Sequence, residues 1–375
     1  MKYFDYAATT PLDEEILDSY TKLLKNYFAN SEPMHPMGLE VHDILEQSRL
    51  QTASLLRVKP EEIIYTSGAS EANTMAVKGV AFAYKQQGMK LITTKIEHSS
   101  VLHAFEQLER DFGYQVTYLD VDENGVISLE QLKNAMSKDT ILVSVMMVNN
   151  EVGPIEPIEE VKKILKEYPA CKLHVDCVQA MGKIPVDFTG VDLATMSAHK
   201  LHGLKGSGIL VKKSNIRLTP LINGGQQELG LRGGTTDACT QIMFAKTLRL
   251  ALQRQKQAES HIRKLNTFLR DELSGIEHIV MNSPEDASPY ILSFSCTTLP
   301  SEPHRNALAA KGFCVSSVST CGSKSLPGSY VLEAMGKEDD VIHGVIRISL
   351  DERITMEDAA EFVEAVKENV KQYGV

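Results

Sequence analysis

The first half of this chain contains two kinds of hydrophobic pattern, one typical of strands and one typical of helices. From about residue 60 to 212, short runs of β-branched and apolar residues alternate with longer stretches of helical periodicity. This alternation is typical of strand and helix units that build a mostly parallel sheet. The strand-like runs are EEIIYTSG, KLITTKI, TILVSVMMV, KLHVDCV, DLATMSA and GSGILVKK. We therefore expect an α/β fold with a mostly parallel central sheet.

A second, shorter unit follows the first. Residues from about 238 to 275 have one long helical pattern, and helix and strand signals alternate again after SPYILSFSC. Because 375 residues suffice for two domains, we predict a large domain over 16–256 and a smaller α/β domain formed by 1–15 and 257–375. The segment SSVSTCGSKSLPGS, from about 316 to 329, is rich in serine and glycine, which predicts a mobile loop beside the small domain.

Composition and charge narrow the classes of function. Hydrophobic residues make up 43% of the chain and charged residues 23%, close to the averages of soluble globular proteins. The chain has 49 acidic and 39 basic residues and no long basic run, so we expect no nucleic acid partner. No segment resembles a secretory signal or an apolar stretch of about 18 residues. These features favour a cytoplasmic protein without a membrane partner.

The cysteines and histidines give no sign of a metal centre. The six cysteines are scattered without a CxxC pair, which predicts neither a disulfide framework nor a zinc ribbon, and most of them are expected to be buried apolar residues. His199 and His202 lie close together in sequence, but no third ligand accompanies them at a metal-binding spacing. We therefore expect no metal.

Polar residues follow two neighbouring strand-like runs. In LHVDCVQAMGK, Asp176 comes directly after apolar strand residues and Gln179 follows three positions later. In DLATMSAHK, the run ends with Ser197, His199 and Lys200. A buried aspartate or lysine is costly unless it has a partner. Because ligands gather at the carboxyl ends of parallel strands, we predict one site that contains both residues.

A strand-end lysine and a strand-end aspartate in one sheet are what pyridoxal 5′-phosphate (PLP) requires. The lysine amine binds the cofactor aldehyde, and the carboxylate keeps the pyridine nitrogen protonated. The phosphate needs backbone N–H groups at the start of a helix, which the run Ser67-Gly68-Ala69-Ser70 offers. Taken alone, TSGAS is equally consistent with a simple helix cap, and Lys200 with a surface lysine. The ordered set favours a PLP site.

These runs resemble the cysteine desulfurases of the NifS/IscS group in the class V aminotransferase family. The resemblance covers nearly the whole chain, from YFDYAATTP to HGVIRISL, and the intervening runs TSGASEAN, EHSSVL, TILVSVMMVNNEVG, HVDCVQAMGK, SAHKLHGLKGSG, LRGGT and SSVSTCGSKSLPGSYVLEAMG occur in the family's order. It implies the fold type I of PLP-dependent transferases.

The resemblance implies a role for each matched residue around the cofactor ring. Lys200 resembles the lysine that binds the cofactor covalently, Asp176 the partner of the pyridine nitrogen, and Gln179 the donor to the ring hydroxyl. His98 resembles the imidazole that stacks on the ring and carries protons, and Asn150 the residue near the ring hydroxyl and the substrate.

Further roles concern the phosphate, the substrate and a second subunit. The residues that resemble the phosphate cradle are Ala69, Ser70, Ser197 and His199. In the family a threonine of the partner subunit completes this cradle, and Thr235 of LRGGT matches it, which implies a homodimer. Arg347 resembles the arginine that holds the substrate carboxylate, a task suited to its planar bidentate donors.

Cys321 matches the family's nucleophilic cysteine on a loop before the SYVL helix. A reactive thiol must be accessible and able to ionise, and a serine- and glycine-rich loop allows both. The implied reaction converts L-cysteine to L-alanine, leaves a persulfide on Cys321 and passes the sulfur to an acceptor protein. Cys314, in the apolar run GFCVSS, is expected to be a strand residue facing a core.

Some positions depart from the family pattern, which leaves other functions open. They are Ser31, Glu32, Pro33, Leu229, Tyr290 and Asp351. One alternative is another class V PLP enzyme that acts on a related small amino acid: a selenocysteine lyase, a cysteine sulfinate desulfinase or an aminotransferase. The other is a non-catalytic scaffold that binds sulfur-acceptor proteins.

Overall fold

A computed structural model describes residues 1–32, 35–317 and 328–374. Cys321 and Pro33 therefore lie outside the described residues. The strands are β1 Lys2–Tyr3, β2 Ile63–Thr66, β3 Lys90–Thr94, β4 Gln115–Leu119, β5 Thr140–Met146, β6 Lys172–Asp176, β7 Leu193–Ser197, β8 Gly208–Lys212, β9 Ile279–Met281, β10 Ile291–Cys296, β11 Phe313–Cys314 and β12 Val345–Ser349.

Helices connect and cover these strands. They are α1 Glu14–Asn26, α2 Pro36–Leu56, α3 Ala69–Tyr84, α4 Ser99–Phe112, α5 Leu129–Ala135, α6 Ile158–Leu165, α7 Ala238–Ser274, α8 Ser301–Ala310, α9 Tyr330–Ala334, α10 Asp339–His343 and α11 Met356–Tyr373, with short 3₁₀ turns at Pro60–Glu62, Ala198–Lys200 and Gln227–Gly230. None of the helices in the described ranges is long and apolar enough to span a membrane.

The central sheet has seven strands in the order β2-β8-β7-β6-β5-β3-β4. Only β8 runs against its neighbours, so the predicted α/β fold with a mostly parallel sheet is confirmed. All residues of β5 are buried, as expected for a strand covered by helices on both faces. The edge strand β4 was not identified from the sequence. Its first four residues are exposed or half-buried, so it lacks the apolar run that marks the other strands.

A second unit contains an antiparallel sheet in the order β12-β10-β9. Its core includes Phe294, Ile346 and Phe362, which are fully buried. The predicted long helix is confirmed as α7, which begins with an Asp237 N-cap and continues for 37 residues. The predicted domain boundary at residue 256 falls inside this helix, and the boundary stays a prediction.

The N-terminal segment joins the second unit to the central sheet. β1 pairs with β11, and the Ala7 amide donates to Ser349 Oγ at 2.8 Å. Three residues further along the chain, the Thr10 amide donates to the His199 carbonyl oxygen at 2.9 Å. Residues 7 to 10 therefore run between the end of β12 and the end of β7.

The cysteines within the described ranges are mainly core residues. Cys171, Cys177, Cys239 and Cys296 are buried, as predicted. Cys314 lies on strand β11 as expected, but it is half-buried, because its neighbour Phe313 is the residue of that strand that points into the core. The expectation that Cys314 faces a core is therefore wrong.

Candidate active site

Polar residues from four strands meet at one edge of the central sheet. β6 ends at Asp176 and β7 at Ser197, while His98 follows β3 and Asn150 follows β5. The carboxyl ends of parallel strands lie at the same edge, where ligands bind in such sheets. The structure therefore brings together the strand-end residues that the sequence predicts.

Asp176 is buried, with 4% of its surface exposed, and its two oxygens have different partners. Oδ1 accepts from the Val178 amide at 2.9 Å, and Oδ2 accepts from Asn73 Nδ2 at 2.7 Å. Asn73 is fully buried on α3 and was not identified from the sequence. An asparagine on the otherwise apolar buried face of a helix is the signal that could have revealed it.

Asn73 also connects Asp176 to His98. Its amide donates to Ser100 Oγ at 3.0 Å, and Ser100 Oγ lies 2.8 Å from His98 Nδ1. The Ser100 amide donates to the same Nδ1 at 3.2 Å, so this nitrogen is an acceptor and the neutral imidazole carries its proton on Nε2. Although His98 is exposed, desolvation by the surrounding protein lowers its pKa, and the charge of Lys200 adds to the effect. His98 can therefore present an Nε2–H group to a ligand.

Lys200 ends the 3₁₀ turn that follows β7. Its Nζ donates to the carbonyl oxygens of Ala7 and Ala8, each at 2.6 Å. Burial lowers the pKa of Lys200 to about 8, and the charge of Arg347 contributes. A substantial share of this amine is neutral near physiological pH. A neutral amine is nucleophilic, which is what a covalent bond to an aldehyde requires.

A second lysine, which the sequence analysis missed, orients Gln179. Lys183 Nζ donates to Gln179 Oε1 at 2.5 Å, and Gln179 Nε2 donates to the Ala7 carbonyl oxygen at 3.0 Å. A carbonyl oxygen can only accept, so the amide nitrogen of Gln179 faces Ala7 and its amide oxygen faces Lys183. Burial and the charge of Lys200 lower the pKa of Lys183 to about 7. Gln179 and Lys183 lie four positions apart in QAMGK, about one helical turn, and this spacing is the signal that could have revealed their contact.

The start of α3 contributes to a pocket of about 520 Å³. The lining includes Ser70, Ser197, His199 and Lys205, together with Ala8, Thr9, Ser67, Gly68, Glu71 and Gly206. The first N–H groups of a helix lack acceptors within the helix and bind anions. Lys205 was not identified from the sequence, and it adds a positive charge suited to a phosphate. Ala69 forms the first turn of α3 beside this pocket.

Two glycines allow the backbone to take this shape. Gly68 precedes α3 with a φ of 147°, a conformation that favours glycine. Gly208, on the neighbouring strand, comes so close that a Cβ atom there would lie 2.7 Å from the Gly68 Cα atom. A side chain at Gly68 would strain the backbone, and a side chain at Gly208 would collide with the turn before α3.

Arg347 on β12 faces the site from the second sheet and has 6% of its surface exposed. Its Nη2 donates to Asp5 Oδ1 at 2.7 Å and its Nη1 to the Asn150 carbonyl oxygen at 2.9 Å. These contacts orient the guanidinium group. Its Nε is buried without a hydrogen-bond partner among the described residues, so one edge of the group can receive a carboxylate.

The unpartnered polar atoms of the site fit a PLP cofactor and its substrate. Ser197 Oγ, Asn150 Oδ1 and Arg347 Nε are all buried without a partner in the part of the chain that is described. Buried polar atoms are rarely left unsatisfied. Together with the anion pocket, the lysine of lowered pKa and the buried carboxylate of Asp176, they form a donor and acceptor set suited to PLP.

His199 and Thr235 differ in their relation to this pocket. His199 Nδ1 lies 3.1 Å from Thr9 Oγ1, and burial, followed by the charge of Lys200, lowers the pKa of His199 to about 4. The imidazole is therefore neutral at pH 7. Thr235 is exposed and is not one of the described residues that line the pocket of its own chain.

The departures from the family pattern fall into two places. Tyr290 and Asp351 line a small cavity of about 30 Å³ behind Lys200, with room for about one water molecule. Ser31, Glu32 and Leu229 line a separate surface pocket. There Gln227 Nε2 donates to Glu32 Oε1. The first pair therefore adjoins Lys200, whereas the second group lines a different pocket of the same chain.

Asp351 forms a buried pair with His202, two residues after Lys200. His202 Nε2 lies 2.7 Å from Asp351 Oδ2, and its Nδ1 lies 3.0 Å from the Pro11 carbonyl oxygen. A carbonyl oxygen only accepts, so Nδ1 donates to Pro11, and Nε2 and the carboxylate share a second proton. This pair connects the second unit to the segment that positions Lys200.

Removing one member of this pair should destabilise the protein. We expect Asp351→Ala to lower the free energy of unfolding by about 3 kcal/mol, because it leaves a buried imidazole without its partner. Chemical denaturation of the single and double variants of Asp351 and His202 tests this. The two effects should be clearly less than additive. Glu352→Gln, at a half-buried neighbour, is the control, and additive effects would contradict the pairing.

Comparison with known proteins places the chain in a family. The family model for class-V aminotransferases matches residues 2–362. The cysteine desulfurase IscS of Dictyoglomus turgidum is 41% identical over 360 residues, which cover 95% of this chain and 91% of that protein. A structure titled NifS-like protein has a TM-score of 0.93 and 35% identity, with 99% of both chains covered.

A further solved structure, titled SspA in complex with cysteine, has a TM-score of 0.81 and 31% identity. It covers 93% of this chain and 99% of that one. The likeness to these proteins extends over both sheets and not over the central sheet alone. The chain therefore belongs to the class-V aminotransferase family, whose enzymes use pyridoxal phosphate.

Proposed function

We propose that this protein is a cysteine desulfurase that converts L-cysteine to L-alanine and leaves a persulfide on Cys321. Residues 318–327, which contain Cys321, are called the Cys321 segment below. The observation that carries the proposal is that the chain enters this segment beside Arg347, the residue proposed to bind the substrate carboxylate. Ser316, five residues before Cys321, pairs with Arg347 through two backbone hydrogen bonds of 2.8 and 3.2 Å. Full-length likeness to a protein named cysteine desulfurase supports the same function.

The length of the chain limits where Cys321 can be. Cys321 follows Ser316 by five positions in the sequence, and five residues span at most roughly 17 Å when fully extended. Since Ser316 pairs with Arg347, this length of chain is sufficient for a thiol at position 321 to reach a substrate held by Arg347. A cysteine at this place is dispensable for an aminotransferase, whereas a desulfurase requires it.

The residues of the site divide the work of holding the cofactor and the substrate. When bound, PLP supplies a protonated ring that absorbs the negative charge left by removal of the Cα proton. The start of α3, with Ser197, His199 and Lys205, holds the phosphate. Asp176 holds the ring nitrogen, and Arg347 and Asn150 orient the substrate. The Lys200 amine takes the Cα proton.

The sulfur transfer balances without an external oxidant. A sulfur–sulfur bond forms between the Cys321 thiolate and the substrate sulfur, while the carbon–sulfur bond of the substrate breaks. The electron pair of that bond stays with the carbon, which takes up a proton to give alanine. The sulfur is then passed to an acceptor protein, so the net change is cysteine to alanine plus a persulfide.

The sharpest test is anaerobic incubation of the holoenzyme with L-cysteine, followed by mass measurement of the intact protein and its peptides. We expect one added sulfur atom on the peptide that contains Cys321, together with an equivalent amount of alanine. A keto acid in place of alanine would favour an aminotransferase. No added sulfur and no alanine would overturn the proposal and favour the non-catalytic scaffold.

Asp176→Asn should separate cofactor binding from catalysis. The amide keeps the size and can still contact Asn73, but it does not hold the proton on the ring nitrogen. We expect the variant to retain cofactor while its turnover falls on the order of 100-fold, the size typical of losing one preorganised electrostatic contact. Cofactor absorbance and alanine production measure the two effects. Near-normal turnover would exclude this role for Asp176.

We also propose that the active unit is a homodimer in which Thr235 reaches the partner's phosphate pocket. Thr235 is exposed in the single chain, and several large apolar side chains are exposed on the same protomer, including Phe28 at 73% and Leu229 at 61%. A partner subunit that covered such side chains would bury their apolar surface. We propose that the protein acts in the cytoplasm and passes its sulfur to an acceptor protein.

Light scattering combined with activity tests the dimer. We expect a dimer in solution, and we expect Thr235→Ala to weaken PLP binding without changing the oligomeric state, because it removes one hydroxyl donor to the phosphate. Thr236→Ala, at the adjacent position, is the matched control. A monomer that binds PLP tightly and turns over would contradict the proposal.

A further inference from the structure

Glu151, next to Asn150, is a buried carboxyl group that the proposed chemistry does not use. It has 4% of its surface exposed, and burial raises its pKa to about 7 although Ser329 and Arg347 oppose the shift. Burying a carboxyl group is costly unless it has a partner. Its partner is Ser329, whose Oγ donates to Glu151 Oε2 at 2.6 Å.

Ser329 is the N-cap of α9, the helix that follows the Cys321 segment along the chain. It is fully buried, and its Oγ also accepts from the Leu332 amide at 3.2 Å. One hydroxyl group therefore caps α9 and connects it to Glu151. A bond from Ser329 to Glu151 fixes where the chain enters α9.

The next residue makes a second connection to the edge of the site. Tyr330 OH donates to the Glu97 carbonyl oxygen at 2.7 Å, and Glu97 immediately precedes His98. The start of α9 is thus bonded to both loops that carry His98 and Asn150. Leu332 of α9 also packs in an apolar cluster with Ile96, which follows β3 of the central sheet. These contacts hold α9 against the edge of the sheet where the cofactor residues meet.

We propose that Glu151 is a positioning residue for sulfur transfer, which by holding Ser329 fixes α9 and the C-terminal attachment of the Cys321 segment beside Asn150. This inference rests on the proposed function. Cys321 precedes Ser329 by eight positions, a length of chain that spans at most roughly 28 Å. With Ser316 paired to Arg347 at the other end, both attachments of the segment adjoin the substrate position. Loss of the Glu151 contact releases the start of α9 from the loop that carries Asn150, so this attachment is no longer fixed beside the substrate position and sulfur transfer slows.

Glu156 provides a matched control in the same part of the chain. It is also buried, with 3% of its surface exposed, and burial raises its pKa to about 8. Its Oε2 accepts from the Ile127 amide at 3.1 Å, and its Oε1 has no hydrogen-bond partner among the described residues, so Glu156 makes no described hydrogen bond to Ser329 or Tyr330. Loss of a buried carboxyl group is common to changes at either position, whereas loss of the α9 attachment occurs only at Glu151.

The experiment compares two steps in the holoenzymes of Glu151→Ala, Glu151→Gln and Glu156→Ala. Stopped-flow absorbance of the cofactor after mixing with L-cysteine measures substrate binding. Rapid quenching and mass spectrometry measure sulfur on Cys321. We expect Glu151→Ala to slow sulfur transfer about tenfold or more and to leave the absorbance change within about twofold. Glu151→Gln, whose amide oxygen still accepts from Ser329, should restore most of the transfer rate.

The outcomes separate positioning from general damage. Equal slowing of both steps in Glu151→Ala, or slowing of transfer in Glu156→Ala to the same extent, would overturn the inference. Transfer at the wild-type rate in Glu151→Ala would overturn it as well. Absence of sulfur on Cys321 in the wild-type protein would instead refute the proposed function. If Glu151→Ala fails to fold, Tyr330→Phe tests the same attachment, since it removes only the hydroxyl that donates to Glu97.

Discussion

We expect Cys321→Ser to bind PLP and L-cysteine like the wild-type protein, while sulfur transfer falls at least about a thousand-fold. Serine has nearly the same size as cysteine, so the fold and the cofactor site should be unchanged. A serine hydroxyl that lacks an adjacent base is almost entirely protonated at neutral pH and is a far poorer nucleophile than a thiolate. Mass spectrometry of the protein and assays of alanine and sulfide measure the effect.

The control for this variant is Cys314→Ala. Cys314 precedes the segment on the short strand β11 and is half-buried. We expect sulfur to appear on Cys321 in this variant at a nearly unchanged rate. Alanine and sulfide production by Cys321→Ser at the wild-type rate would exclude the nucleophile role, and the lyase or aminotransferase alternative would then take its place.

Lys200→Ala should have an effect of similar size, because it removes both the covalent attachment of the cofactor and the base for the Cα proton. We expect turnover to fall at least about a thousand-fold. Borohydride reduction of the wild-type holoenzyme, followed by peptide mapping, should place the cofactor mass on the Lys200 peptide. Lys183→Ala is the matched control, since Lys183 is a second amine of lowered pKa near the same site. Cofactor mass on Lys183 would reverse the assignment.

The lowered pKa of Lys200 predicts how PLP uptake depends on pH. The neutral amine attacks the aldehyde, and its fraction increases as the pH rises through about 8, the pKa of Lys200 in the protein. The rate of covalent PLP uptake by the cofactor-free protein should therefore rise about tenfold per pH unit below this value and level off above it. Cofactor absorbance after mixing measures the rate. A rate that continues to rise to the ordinary lysine pKa would show that Lys200 is not shifted.

The strand-end residues were predictable because their signal is local. Asp176, Ser197 and Lys200 each follow an apolar run, and parallel strands place their carboxyl ends at one edge whatever the details of packing. The turn before α3 was predictable for a similar reason, since Gly68 and the first N–H groups of the helix are contiguous in sequence. For Cys321 the sequence determined the residue and its neighbours, and the described residues add the positions of Ser316 and Ser329 on either side.

Tertiary structure alone decided which polar groups support those residues. Asn73 lies 103 positions from Asp176, and Asp351 lies 149 positions from His202, so neither contact leaves a local pattern. The edge strand β4 escaped recognition because one side of it is partly open to solvent and its apolar run is short. Lys183 and Glu151 have charged side chains that a sequence favours on the surface. Their burial, and therefore their lowered and raised pKa values, depends on how the two sheets and the N-terminal segment pack together. A sequence encodes such contacts only through the whole fold, because the cost of burying each charge is offset by a partner that is distant along the chain.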